Sequence, residues 1–388
     1  MSPPGEVSTV DAEAAFQRVA MLTAAGDLAG ARTALRHLGD RAEAGGQAVL
    51  ASRALRLSAT LDRALGDPND AVATARRAAG HAESAVAEAA TRAAGAAGGA
   101  TAGPDINDAR SGAGFGREGT PDRASYMYDG AAEVATAAYA ELAESLVALG
   151  RAADAAAAYG KAAGHAASPA TATALRRMQA LALTSAGLGG EAAAILRDLA
   201  AEADDSTETA SLLIQAAATS GSPTAPATSG ENSVAAVGGT ASPQIFDAAR
   251  LLRDARDAVD AAGAAARDLR TDLAFVAASA ALDDRDLPRA LAEIRAARRH
   301  ALDGVAVLQY IAAAVAESAV AELVGDDQSA YGSLATGYAT LGDVVGKSLS
   351  AATFEGPLVR LRERWGAPRF ARAKRAYEEK RRRVGSGR

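Results

Sequence analysis

Cysteine is absent from the 388 residues, which removes disulfide scaffolds, thiolate metal sites and cysteine nucleophiles together. Aromatic residues are scarce at 4%, with a single Trp, so any core must be filled by smaller side chains. Long apolar runs are missing too. The nearest candidate, residues 305–324, is interrupted by Gln309, Glu317 and Glu322 and falls short of the roughly 20 apolar residues that span a bilayer. Residues 1–10 carry Pro3, Pro4 and Glu6 with no basic start and no apolar stretch, so no signal peptide is expected. These absences point to a cytoplasmic protein without a membrane partner. Val, Ile, Thr and aromatic residues never collect in alternating runs, which argues against a substantial β-sheet.

What the chain has in excess is alanine, about a quarter of its residues against a much lower average usage. Alanine combines the best helix propensity with the smallest side chain, so Ala-rich stretches form helices that approach one another closely. Charge is unevenly placed. Residues 360–388 hold 12 Lys+Arg against 3 Asp+Glu, while residues 1–359 hold 29 against 44, giving an acidic body and a basic C-terminus. Two stretches rich in Gly, Pro, Ser and Thr, 95–124 and 220–242, lack helical periodicity and read as disordered insertions or flexible linkers. They divide the chain into blocks 1–94, 125–219 and 243–354, followed by a C-terminal block 355–388.

Within those blocks, amphipathic helices are punctuated by short turns. Around residue 150, Tyr139, Leu142, Ala143 and Leu146 share one helix face, Gly150-Arg151 interrupts it, and Ala155, Tyr159 and Ala162 mark the next stripe. Weaker copies place Gly26 among Leu22, Ala31, Leu35 and Leu38, and Gly66 among Leu55, Ala59, Ala71 and Ala78. A further copy has Ala180, Leu183, Gly187, Ala192 and Leu196. Later ones have Ala278, Leu287, Ala290, Ile294 and Ala297 with Arg285 in the glycine position, then Gly325, Ala330 and Leu334. The second helix of that last copy is expected to continue toward Leu349. Gly-Asp recurs at 26–27, 66–67 and 325–326, where Gly ends one helix and Asp caps the next. His81, His165 and His300 each fall ten residues after the first small residue of a second helix, and are expected in its last turn.

This spacing resembles the tetratricopeptide repeat, over most of residues 12–354 and most fully at 136–169. The resemblance implies an all-α fold, an α-solenoid of antiparallel helix pairs (helix A, then helix B), with two disordered insertions and a C-terminal capping and basic helix. It further implies that helix A faces line a concave groove for a protein partner. In the best copy those positions are Ala137, Ala140, Glu144, Val147 and Ala148, a shallow and mildly acidic surface. Chaperone-binding members of the family grip a terminal carboxylate with Asn, Lys and Arg. Here the only Asn residues, Asn69, Asn107 and Asn232, are expected in turns or linkers, so no carboxylate-clamp peptide is expected.

Motifs that carry chemistry are weak. Gly114, Gly116 and Gly119 spell G-x-G-x-x-G, but without the preceding strand a dinucleotide site needs. Residues 342–348 resemble a phosphate loop with one residue too few between the glycines. The acidic pairs 204–205, 283–284 and 326–327 are expected to cap helix N-termini. No nucleophile-base arrangement, cofactor motif or metal-ligand spacing is present, so a non-enzymatic scaffold without cofactors is the leading expectation. At the C-terminus, Phe354, Leu358, Leu361 and Trp365 form a capping stripe ending at Gly366 and Pro368. A second helix over 369–383 sets Phe370, Ala373 and Tyr377 on one stripe, with Arg372, Arg375 and Arg382 largely away from it. Arg372, Arg375, Lys380, Arg381, Arg382 and Arg383 could bind nucleic acid, an acidic partner or the acidic body itself, which is the second reading.

Overall fold

Each glycine expected to end a helix does so in the computed structural model, which describes residues 6–99, 123–220 and 248–386. Gly26, Gly66, Gly150, Gly187 and Gly325 take φ of 79°, 83°, 71°, 76° and 83°, a left-handed turn that costs a glycine nothing. Arg285 adopts φ 58° in the position predicted for it, although a side chain disfavours that conformation. At every one of these turns two successive N–H groups bond back to the helix just ended. Asp27 N reaches Leu22 O at 2.9 Å, Asp67 N reaches Asp62 O at 2.9 Å, and Asp326 N reaches Ala321 O at 2.9 Å. Asp27 and Asp326 then cap the following helix through Gly30 N (2.8 Å) and Ser329 N (2.9 Å).

Apart from the N-terminal segment and short turns between helices the described residues are helical, and no strand occurs among them. The chain forms two compact units, residues 1–188 and 189–388. The division falls inside the expected block 125–219, at neither Gly- and Ser-rich stretch. Unit 1 contains α1 (Thr9–Ala24), α2 (Leu28–Ala44), α3 (Ala48–Ala64), α4 (Pro68–Gly99), α5 (Arg123–Ala148), α6 (Ala152–His165) and α7 (Pro169–Ser185). Unit 2 contains α8 (Gly189–Glu202), α9 (Ser206–Ser220), α10 (Ala248–Ala262), a 3-10 turn (Gly263–Ala266), α11 (Arg267–Asp283), α12 (Leu287–Asp303), α13 (Val307–Val324), α14 (Asp327–Val345) and α15 (Lys347–Ser386). Within each unit every helix packs on the next one in sequence, and α3 also meets α5 as α9 meets α11.

Both units share one frame. Left-handed residues recur every 20 positions, at Gly26, Gly46 and Gly66 in unit 1 and at Arg285, Val305 and Gly325 in unit 2. Buried residues follow the same register: Ala31, Leu35 and Leu38 on α2 answer to Ala290, Ile294 and Ala297 on α12. Most side chains between helices are alanine, which lets backbones approach. Two turns, at Gly46 and Val305, were not among the predicted ones.

Several local expectations are corrected. α4 runs to Gly99 and α5 starts at Arg123, so helix enters both ends of the 95–124 stretch, and Ser220 closes α9 at the edge of the 220–242 stretch. The G-x-G-x-x-G residues and the rest of both stretches lie outside the described residues. His81 sits mid-helix because α4 extends 18 residues beyond it, whereas His165 and His300 do occupy last turns. α14 stops at Gly346, φ 101°, so Leu349 belongs to α15, and exposed Lys347 opens that helix. Asp283 and Asp284 end α11, and it is Asp286 that caps α12, through Arg289 N at 3.1 Å. Asn69 lies in the first turn of α4. α13 has the length and apolarity of a membrane span, and in this fold it packs between α12 and α14.

Candidate functional site

Ala137, Ala140, Glu144, Val147 and Ala148 lie along one stripe of α5, and the structure gives them different surroundings. Ala137 lines a cleft of about 380 Å³ with Val49, Arg53 and Arg56 of α3, Ala89 and Arg92 of α4, and Glu133 of α5. The expected mildly acidic surface is therefore basic at this end, because α3 presents arginines that a reading of α5 alone does not contain. Glu144 is held by Arg63 of α3 at 2.8 Å. Val147 and Ala148 are exposed, and Ala140 is half-buried outside the cleft.

Beneath this stripe lies a buried carboxylate. Glu141 accepts from Thr60 Oγ1 at 2.8 Å, and its Oε1 faces Arg63 Nη2 at 3.4 Å without hydrogen-bond geometry. Burial pushes its pKa up, more than Thr60 and Arg63 pull it down. A second buried acid, Asp62, is fully enclosed, with Arg36 Nη2 at 2.8 Å, Arg32 Nη1 at 3.4 Å and Thr74 Oγ1 at 3.1 Å. Unit 2 repeats the device. Glu317 of α13 takes Arg295 Nε at 2.9 Å and Arg298 Nη1 at 2.8 Å. Arg36 and Arg295 occupy the same offset from their left-handed residues, and each also reaches the start of the second helix after its own, Asp70 of α4 at 3.1 Å and Ser329 of α14 at 3.2 Å.

The basic C-terminus is a docked helix, and its side chains divide. α15 breaks at Gly366 (φ 71°), as the sequence indicates, into a capping segment and a basic segment. Phe354, Leu361 and Trp365 are buried in the unit 2 core, and Trp365 Nε1 donates to Glu322 of α13 at 2.7 Å. Past the break, Arg369 stacks on Trp365 and pairs with Asp327 at 2.6 Å, while Tyr377 lies edge-on to Tyr331 and shares a 2.8 Å hydrogen bond with Thr336. Arg372, Arg375, Arg382 and Arg383 are exposed. Lys380 and Arg381 turn toward α12 and α14 and line a cavity of about 800 Å³ that also touches Arg295, Arg298, Glu317 and Asp326. Burial raises the Asp326 pKa, but hydrogen bonds from Ser329, aided by nearby Arg295 and Lys380, hold its carboxyl below the usual range.

One more polar cluster ties α4, α5 and α6. The Tyr139 hydroxyl donates to Glu83, Lys161 Nζ lies 3.3 Å from that hydroxyl and over the Tyr139 ring, and His165 stacks on the ring at 5.9 Å. Burial raises the Tyr139 pKa, and its hydrogen bond lowers that of Glu83, so the tyrosine keeps its proton and acts as a clasp. Among the described residues no three His, Asp or Glu side chains converge as a metal site. Sequence reasoning missed Asp62, Glu317 and this clasp. The two acids carried a signal, since each sits seven residues after a core position of its own helix, Leu55 and Tyr310.

No family model matches the chain, and no curated protein shows significant sequence similarity to it.

Proposed function

We propose that the protein is a non-enzymatic interaction scaffold, an α-solenoid of tetratricopeptide-like helix pairs whose helix A faces receive a protein partner. The observation that carries this reading is the turn frame. The same left-handed stop, back-bonded and followed by a new helix, recurs every 20 residues over 26–66 in one unit and 285–325 in the other, and each helix rests on its neighbour in sequence. Helices built this way have one face that no neighbour covers, and repeat proteins use that face for binding. The α3–α5 cleft beside Ala137, with Arg53, Arg56 and Arg92 around an apolar floor, is the place where a guest helix or extended segment with acidic residues would sit.

A second reading, an association with nucleic acid or an acidic partner through the basic segment of α15, is favoured by the exposure of Arg372, Arg375, Arg382 and Arg383. Neither reading calls for a cofactor, and a cytoplasmic location is proposed with both. Co-purification from native lysate separates them. The full chain is compared with an Ala137→Arg/Val147→Asp variant and with one truncated after residue 368. Partners lost with the first variant and kept by the truncation support the groove. The reverse pattern supports the basic segment.

A further inference from the structure

The cavity under the last helical segment carries more cations than carboxylates on its walls. Its walls hold four cations, Arg295, Arg298, Lys380 and Arg381, against two carboxylates, Glu317 and Asp326. Arg295 is engaged by Glu317 and Ser329, and Arg298 by Glu317 and the Tyr310 hydroxyl at 2.9 Å. Glu317 is thereby fully occupied, and Asp326 accepts from Ser329 N as a helix cap. Among the described residues Lys380 and Arg381 have no carboxylate within ion-pair distance, and both line the cavity. Lys380 meets Asp326 only through space and Arg381 is paired with neither carboxylate, so cations outnumber carboxylates four to two around a space large enough for a side chain and its flanks. Ser333, Thr336 and Tyr377 add hydroxyls to the same walls, and the hydrogen bond shared by Thr336 and Tyr377 leaves one of their two protons free to donate.

We propose that this cavity binds a phosphate monoester carried on a protein segment, a phosphorylated serine or threonine. The charge match favours it over a carboxylate. A phosphate monoester carries about −1.5 to −2 near neutral pH and three acceptor oxygens, which matches the excess of four cations over two carboxylates on the walls, whereas an acidic side chain supplies only one charge. A single phosphoryl group needs only the cavity, whereas a nucleic acid would also need a continuous basic track beyond it, and the oligonucleotide probe below decides between them. The inference uses different residues from the α3–α5 cleft. Neither Lys380 nor Arg381 lines that cleft, so the two readings fail separately.

The test measures fluorescence anisotropy of the full chain with four labelled probes at constant salt. These are a degenerate peptide pool centred on phosphoserine, the same pool with serine, the same pool with glutamate, and a single-stranded oligonucleotide. The expected result is binding of the phosphoserine pool about tenfold or more tighter than either the serine or the glutamate pool, a preference abolished by Lys380→Glu/Arg381→Glu. Both side chains are exposed, and circular dichroism checks that helix content is kept. Lys380→Gln/Arg381→Gln repeats the measurement if charge reversal unfolds the segment. Equal binding of the phosphoserine and serine pools overturns the proposal. So does a preference that survives both double variants, or an oligonucleotide that binds more tightly than the phosphoserine pool through the same two residues.

Discussion

Val305 holds φ 55° with its side chain 72% exposed, at the position where the frame of unit 1 has Gly46. A β-branched residue in this region is strained by about 1–2 kcal/mol, and solvent offers its side chain no packing in return. Val305→Gly is therefore expected to stabilise the fold by about 0.5–1 kcal/mol once the extra freedom of glycine in the unfolded chain is subtracted, read from the denaturant midpoint. A midpoint lower than that of the parent would show that the valine is packed. Asp62 gives the opposite case. Its removal orphans the buried Thr74 hydroxyl and leaves Arg32 and Arg36 only Asp67 and Asp70, so Asp62→Ala is expected to cost about 1–3 kcal/mol in the same measurement. At this scale the sequence was readable where the residue type is itself the signal. Glycine before aspartate announced the turns at 26, 66 and 325. Val305 carried no such signal, because nothing in a valine says left-handed, and only the 20-residue recurrence of its neighbours exposes it.

Among the elements, α15 was the most legible and the least completely understood. Its apolar stripe, its break at Gly366 and its second stripe were all visible in the spacing of Phe354, Leu361, Trp365, Phe370 and Tyr377. The partners were not, since Glu322, Asp327 and Thr336 lie on α13 and α14 and only tertiary contact selects them. Those partners make the segment pH-sensitive. Hydrogen bonds from Arg364 and Trp365 hold the Glu322 carboxyl below its ordinary value, and Arg369 does the same for Asp327. A depressed folded-state pKa contributes stability that is complete above the unfolded value and is lost as pH falls through the folded one. Acidification from neutral into and below the carboxylate range is thus expected to loosen α15, shifting the emission of the lone Trp365 to longer wavelength. Glu322→Gln should weaken that transition, and an unchanged pH profile in the variant would refute the assignment. A steric version of the same test exists. A Cβ on Gly332 would sit 2.8 Å from Tyr377 Cδ2, so Gly332→Leu is expected to undock residues 369–383 and raise their amide exchange while leaving α12 protected.

At the level of the whole molecule, the regular frame explains both what the sequence revealed and what it hid. Helix content, turn positions and buried alanines all follow local rules of propensity, capping and periodicity, and they could be read from one chain. The α3–α5 cleft could not, because its character depends on which side chains a second helix brings alongside the first: Arg53 and Arg56 make the Ala137 end basic, and Arg63 pairs with Glu144 farther along. Nor could the division after residue 188, which no change in composition marks. The central proposal is that a protein guest lies on the helix A faces. Its most direct measurement is the affinity of a recovered partner for the full chain and for Ala137→Arg/Val147→Asp, each determined at low and at roughly physiological salt. The account expects the double variant to weaken binding by about tenfold or more, with a modest salt dependence in the parent. An affinity indifferent to both substitutions, and collapsing by about a thousandfold or more between the two salt concentrations, would contradict it and transfer the function to the basic helix.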